Sequence, residues 1–147
     1  DLGKDEEAIV SYKQSISLKP DYIDSYNNMG NILQDQGKFE KAIEVFIVAL
    51  SLNPDYAEAC YNRGLTLQEL NKFDEAIKSY DQAIRINPNY IEAYSNRGNA
   101  LKELRRLEEA LESYEIAISI KPANNTMFNY AESHWNLSLL HLPAFNA

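Results

Sequence analysis

Prolines stand at positions 20, 54, 88 and 122, an interval that never changes. The same period relates Gly30, Gly64 and Gly98, and also Ala8, Ala42, Ala76 and Ala110. The aromatic residues Tyr12, Phe46, Tyr80 and Tyr114 follow it too. Small residues, one aromatic and one proline held in register at this period specify a stacked helical array. Each unit of such an array touches mainly its neighbours, so a chain of 147 residues is best counted in units.

Within a unit, apolar residues recur at helical spacing in two blocks. In the unit spanning 23–56, the first predicted helix runs from Ile23 to Gln36 and carries Tyr26, Met29, Gly30 and Leu33 on one side. The second runs from Phe39 to Leu52 and carries Ala42, Phe46 and Ala49. Gly37 falls at the break, where a helix end favours a residue tolerant of positive φ. Asn71 tolerates that geometry, whereas Arg105 does so poorly and predicts a differently shaped break. Asp21, Asp55 and Asn89 lie where they could cap the following first helix. Further units span 57–90 and 91–124. Residues 1–22 supply only a second helix, ending at Pro20. Beyond Pro122, Asn129 to Ser138 matches Asn89 to Gly98 at a step longer than the period. That match predicts an insertion at 125–130 and an unpaired first helix over 131–142, ended by Pro143.

Composition narrows the function classes. With 14 basic and 22 acidic residues the formal charge is −8. That charge opposes nucleic acid, whose affinity is supplied by a basic footprint, and an anionic membrane surface. The single cysteine, Cys60, excludes an internal disulfide and reads as a small core residue. No run has the length of a membrane span, and the acidic start is unlike a signal peptide. The expected setting is cytoplasmic. His134 and His141 share a helix face with Glu132, but two imidazoles at that spacing fall short of a zinc ligand set. The glycines follow the repeat rather than forming a phosphate loop. No cofactor, metal or catalytic group is expected.

These residues resemble the tetratricopeptide repeat, whose pattern is W-x2-L-G-x2-Y, A-x3-F, A, P. Tyr26, Met29, Gly30, Leu33, Ala42, Phe46, Ala49 and Pro54 fill it in one unit. Cys60, Arg63, Gly64, Leu67, Ala76, Tyr80, Ala83 and Pro88 fill the next; Tyr94, Arg97, Gly98, Leu101, Ala110, Tyr114, Ala117 and Pro122 fill the third. Arg63 and Arg97 depart from the usual leucine. They are expected to lay their stems over the core and pair with a nearby carboxylate. The resemblance implies an all-α, right-handed superhelical solenoid of antiparallel helix pairs, with the first helices lining an inner groove. It implies a protein-interaction scaffold holding an extended peptide, and no enzyme.

On that resemblance, the groove positions are Asn27, Asn28 and Asn31, then Glu58, Tyr61 and Asn62, then Ser95, Asn96 and Asn99. Asn28, Asn62, Asn96 and Asn136 form an amide ladder that resembles the repeat region of O-linked N-acetylglucosamine transferases and their bacterial relatives. An amide offers both donor and acceptor to a peptide backbone. The bland alternative is that these amides bond neighbouring helices. A substrate-recruiting role within a larger glycosyltransferase is the alternative function. Asp24, Glu58 and Glu92 make the groove acidic, which disfavours a carboxylate clamp and favours a neutral or basic peptide.

Two features point to self-association. The first helix of the chain should expose Tyr12 and Ile16, and the last Trp135, Leu139 and Leu140. Exchange of terminal helices, or head-to-tail stacking, would cover them. Ile47 and Val48 stand where the other units have polar residues, forming an outer apolar patch.

Overall fold

The computed structural model describes residues 2–19 and 22–140, the side chains of residues 2 and 5 excepted. Pro20, Asp21, His141, Leu142 and Pro143, used in the sequence reading, lie outside the described residues. Among the described residues the fold is all α: α1 Leu2–Leu18, α2 Ile23–Asp35, α3 Phe39–Leu52, α4 Ala57–Glu69, α5 Phe73–Ile86, α6 Ile91–Glu103, α7 Leu107–Ile120 and α8 Asn124–Leu140. The protein is a helical-repeat solenoid.

Three pairs, α2–α3, α4–α5 and α6–α7, close on the same contact. A Cβ at Gly30 or Gly64 would come within 2.5 Å of the Phe46 or Tyr80 ring, and Gly98 stands the same way to Tyr114. Glycine therefore lets each aromatic ring press close against the first helix. Phe46, Tyr80 and Tyr114 are wholly buried, as are Ala42, Ala76, Ala110, Ala49, Ala83 and Ala117. Removing such an aromatic side chain from water is worth roughly 2 kcal/mol before entropy is counted.

All three breaks share one shape. Gly37, Asn71 and Arg105 have φ of 71°, 56° and 61°. Each is followed by the same reach-back bond: Lys38 N–H to Leu33 O at 2.8 Å, Lys72 N–H to Leu67 O at 2.9 Å, Arg106 N–H to Leu101 O at 2.9 Å. The expectation of a different break at Arg105 is thus corrected. Packing on both sides fixes the turn, and Arg105 adopts it despite its Cβ.

The capping expectation is corrected as well. The N-cap positions of α4 and α6 are Tyr56 and Tyr90, without side-chain cap bonds. Asp55 and Asn89 sit one residue too early. Their own amides donate to Asn53 Oδ1 at 3.0 Å and Asn87 Oδ1 at 3.2 Å, which braces the turns around Pro54 and Pro88.

The repeat continues into the last helix with one residue fewer than the period. Residues 125–130, expected as an insertion, are helical, and α8 begins at Asn124, one residue before the period would place a fourth first helix. Buried Thr126 and Ser133 take the places of Ala93 and Ala100, so Ala131 occupies the position of Gly98. α8 packs on α7 through buried Thr126 and Ser133, leaving Met127, Phe128, Trp135, Leu139 and Leu140 exposed. At the other end, Tyr12 and Ile16 are half-buried against the core around Ile9, Met29 and Phe46, because α2 covers them from one side.

The arrangement also shows which side is the inner one. Each first helix touches the next first helix: α2 meets α4, α4 meets α6 and α6 meets α8. Among the described residues, no two second helices meet in this way. The stack therefore curves with the first helices inside.

Candidate functional site

On that inner face, α4, α6 and α8 border a cleft of about 460 Å3. Tyr61 comes from α4, Glu92, Ser95, Asn96 and Asn99 from α6, and Asn125, Thr126 and Asn129 from α8; Lys121 closes one end. Successive first helices are in step, so each supplies the same helical positions to the same face.

A run of polar side chains crosses the cleft. Asn129 Nδ2 donates to Asn99 Oδ1 at 2.9 Å, and Asn99 Nδ2 donates to Asn96 Oδ1 at 3.3 Å. Asn96 Nδ2 in turn donates to the Tyr61 hydroxyl at 3.0 Å. Buried Tyr114 donates to Asn99 Oδ1 at 2.8 Å, which fixes the amide orientation from below. Ser95 and Thr126 share a hydroxyl bond of 3.0 Å. These bonds leave the Tyr61 hydroxyl proton, a second Asn96 N–H and the Asn129 carbonyl oxygen unspent.

The Tyr61 ring lies 4.9 Å from Tyr90 and 6.0 Å from Tyr80, in tilted contact. Burial pushes its hydroxyl pKa up and the Glu92 carboxylate adds to this, while the Asn96 bond works against it. At neutral pH the hydroxyl is a proton donor with its ring already fixed. Burial also raises Tyr90, with Tyr61, Glu58 and Glu92 adding to it.

The sequence-predicted groove residues divide. Tyr61, Ser95, Asn96 and Asn99 gather in the cleft. Asn27 does not line open space: it is 1% exposed and donates to Glu58 Oε1 at 3.1 Å. Asn62 is buried and donates to Asn27 Oδ1 at 3.2 Å. Asn27 and Asn62 are thus placed as helix-to-helix links, because the inner faces of α2 and α4 meet there. Asn28 is exposed and Asn31 half-buried. The acidic positions hold their places: Asp24 accepts from the Tyr56 hydroxyl at 2.9 Å, and Glu58 and Glu92 are exposed. Sequence reasoning missed Asn125, Thr126 and Asn129. Counting one period on from Ile91, Glu92 and Ser95 finds all three.

Outside the cleft, Ile47 and Val48 are exposed on α3. His134 lies 6.1 Å from the Tyr130 ring. Cys60 is buried, and burial raises its thiol pKa. No described helix is long and apolar enough to cross a membrane.

A curved all-α array with an amide- and tyrosine-lined inner cleft defines a helical-repeat protein. The chain belongs to the tetratricopeptide repeat family. A TPR repeat model matches residues 1–37, 30–71 and 67–105, and a tetratricopeptide repeat model matches 91–124. Among solved structures, it is similar to MamA, with a TM-score of 0.87 and 27% identity over 93% of this chain and 81% of that one. It is also similar to the first TPR of Spaghetti (RPAP3) bound to the HSP90 peptide SRMEEVD, with a TM-score of 0.77 and 27% identity over 79% and 93% of the two chains. An Arabidopsis OM64 TPR domain shares the fold, with a TM-score of 0.75 and 23% identity over 78% and 95%. No curated protein matches the sequence.

Proposed function

We propose that the chain is a protein-interaction scaffold that holds an extended partner segment in the cleft between α4, α6 and α8. The observation that carries this reading is the convergence of the unspent Tyr61 hydroxyl proton, Asn96 N–H and Asn129 carbonyl on one open cleft. Such groups match the alternating donors and acceptors of a peptide backbone. Asp24, Glu58 and Glu92 repeat along this face, so the segment is neutral or basic.

The bound peptide of the RPAP3 neighbour supplies the probe. SRMEEVD carries acidic residues, and the acidic inner face of this chain should disfavour it. We expect the same heptapeptide with both Glu changed to Lys to bind more tightly, with NMR shifts at Tyr61, Asn96 and Asn129. Asn96→Ala should weaken that binding without loss of helicity. Preference for SRMEEVD itself would overturn the charge argument; shifts elsewhere would overturn the cleft.

A second reading is self-association through α8, favoured by the 69% exposure of Phe128 and the 66% exposure of Trp135. Ile47 and Val48, and the half-buried Tyr12 and Ile16, would add to it. Light scattering over a concentration series tests it, and a monomer throughout would remove it. A transferase substrate-recruiting role would use the same cleft. The ladder that suggested it is largely engaged between helices, with Asn62 bonded to Asn27 and Asn96 to Tyr61.

A further inference from the structure

The outer side of the array carries two grooves built on an arginine, and they differ in what the arginine meets. Between α5 and α7, Arg97 donates from Nε to Asp81 Oδ1 at 2.6 Å and from Nη1 to Ser113 Oγ at 2.5 Å. Between α3 and α5, Arg63 stands one period earlier. It donates to Ser79 Oγ at 3.0 Å and Gln82 Oε1 at 3.2 Å, both neutral. The residue one period before Asp81 is Ile47. Among the described residues Arg63 has no ion-pair partner.

The groove over Arg63 is a cavity of about 300 Å3 walled by Ile43, Ile47 and Leu67. At its edge Glu75 and Lys78 offset one another, leaving Arg63 as the net charge. Beside Ile47, which is 51% exposed, α3 also exposes Val48 and Leu52. A half-buried guanidinium bonded only to neutral groups gains more from a carboxylate, since charge-assisted bonds are roughly twice as strong as neutral ones. Aliphatic walls keep salt from screening it.

We propose that this outer groove docks an amphipathic helix of a partner protein that presents one Asp or Glu side chain among aliphatic residues. Its carboxylate takes the place on Arg63 that Asp81 holds on Arg97, and its aliphatic side chains cover Ile43, Ile47 and Val48. A helix fits because a trough between two helices accepts a ridge of side chains at i, i+4 and i+7. The partner helix carries little other negative charge, because the chain at large is acidic at −8. The first groove of the series has Met29 in place of the arginine, and its charges are the side chains of Lys13, Lys38 and Lys41 beside Glu6 and Glu44.

The test uses an alanine-based helical peptide, made soluble with Lys, that carries Leu, Glu and Leu along one face, against the same peptide with Gln for Glu. Heteronuclear NMR titration locates the site and gives both affinities. The Glu peptide should shift Ile43, Ile47, Arg63 and Val48, and bind about tenfold or more tighter than the Gln peptide. Arg63→Met copies the first groove and should abolish the preference with helicity intact. Ile47→Asp copies the Asp81 pair and should block the Glu peptide while keeping or raising thermal stability. Equal affinities for the two peptides would overturn the proposal. So would shifts confined to Tyr61, Asn96 and Asn129, or full binding by Ile47→Asp.

Discussion

α6 and α8 occupy the same place in the repeat, yet they finish their packing differently. Both stack on the preceding second helix through small or polar residues, Ala93 and Ala100 in one and Thr126 and Ser133 in the other. On the opposite face α6 has Gly98, against which the Tyr114 ring packs closely. α8 has Ala131 there, exposed and flanked by exposed Phe128 and Trp135. The face toward the previous pair is thus enough to hold a first helix in register. The glycine is needed only where a partner helix closes over it. In the same register, the Cβ of Ala131 stands in the way of the close approach that an aromatic such as Tyr12 of another copy would need to complete the pair.

The sharpest way to break this comparison is to give Gly98 the alanine that α8 carries at the matching position. Gly98→Ala drives a Cβ into the Tyr114 ring and should cost roughly 1–3 kcal/mol by urea denaturation, the usual scale of overpacking. Unchanged stability would mean that the glycine contact is not what closes the pair.

The buried aromatics make the same contrast through pH. Burial raises the hydroxyl pKa of Tyr80 and of Tyr114; the carboxylates of Glu132 and Glu103 add to it for Tyr114, as do Tyr61 and Glu69 for Tyr80. An acid with a raised folded pKa contributes stability that is complete below its unfolded value and lost as pH climbs toward the folded one. The melting temperature should therefore fall above about pH 10, the usual tyrosine value. Tyr114→Phe should flatten that fall, and an unchanged alkaline profile would contradict the burial argument.

Smaller effects test the ends of the first helices. Gln36 stands where the later pairs have Leu70 and Leu104, and both its amide atoms are buried without a hydrogen-bond partner. Gln36→Leu should add about 1–2 kcal/mol, because an unsatisfied amide is removed. Arg105→Gly should add about 1 kcal/mol by relieving a left-handed conformation that Gly37 already adopts freely. Glu132→Ala removes an exposed ion pair with Lys102 and should change stability by less than about 1 kcal/mol. Urea denaturation of each variant reads all three.

The period made the fold readable, because glycine, alanine and aromatic residues recur only where helices meet closely. It stopped being readable at α8 for the same reason. Among the described residues no helix closes over α8, its glycine position is Ala131, and a local likeness between Asn129–Ser138 and Asn89–Gly98 suggested a false step. The groove was partly readable. Spacing puts Asn27 and Asn28 side by side on a helix, about 100° apart. Whether one of them is sealed depends on how tightly α2 and α4 converge, which no single helix encodes. The break at Arg105 was misjudged because propensity was weighed without the packing that overrides it.

The stitching of the inner face has a mechanical consequence. Side-chain bonds join each first helix to the next, from Asn27 to Glu58, Asn62 to Asn27, Asn96 to Tyr61 and Asn129 to Asn99. Between successive second helices the described residues place exposed ion pairs, Lys38 with Glu6 and Arg106 with Asp74, which hold less firmly than the inner bonds. Pulled from its ends, such an array would resist straightening, since straightening stretches the bonded side. It would yield more readily to tighter coiling, which those bonds already favour. The protein is in this sense a spring stiffer in extension than in compression.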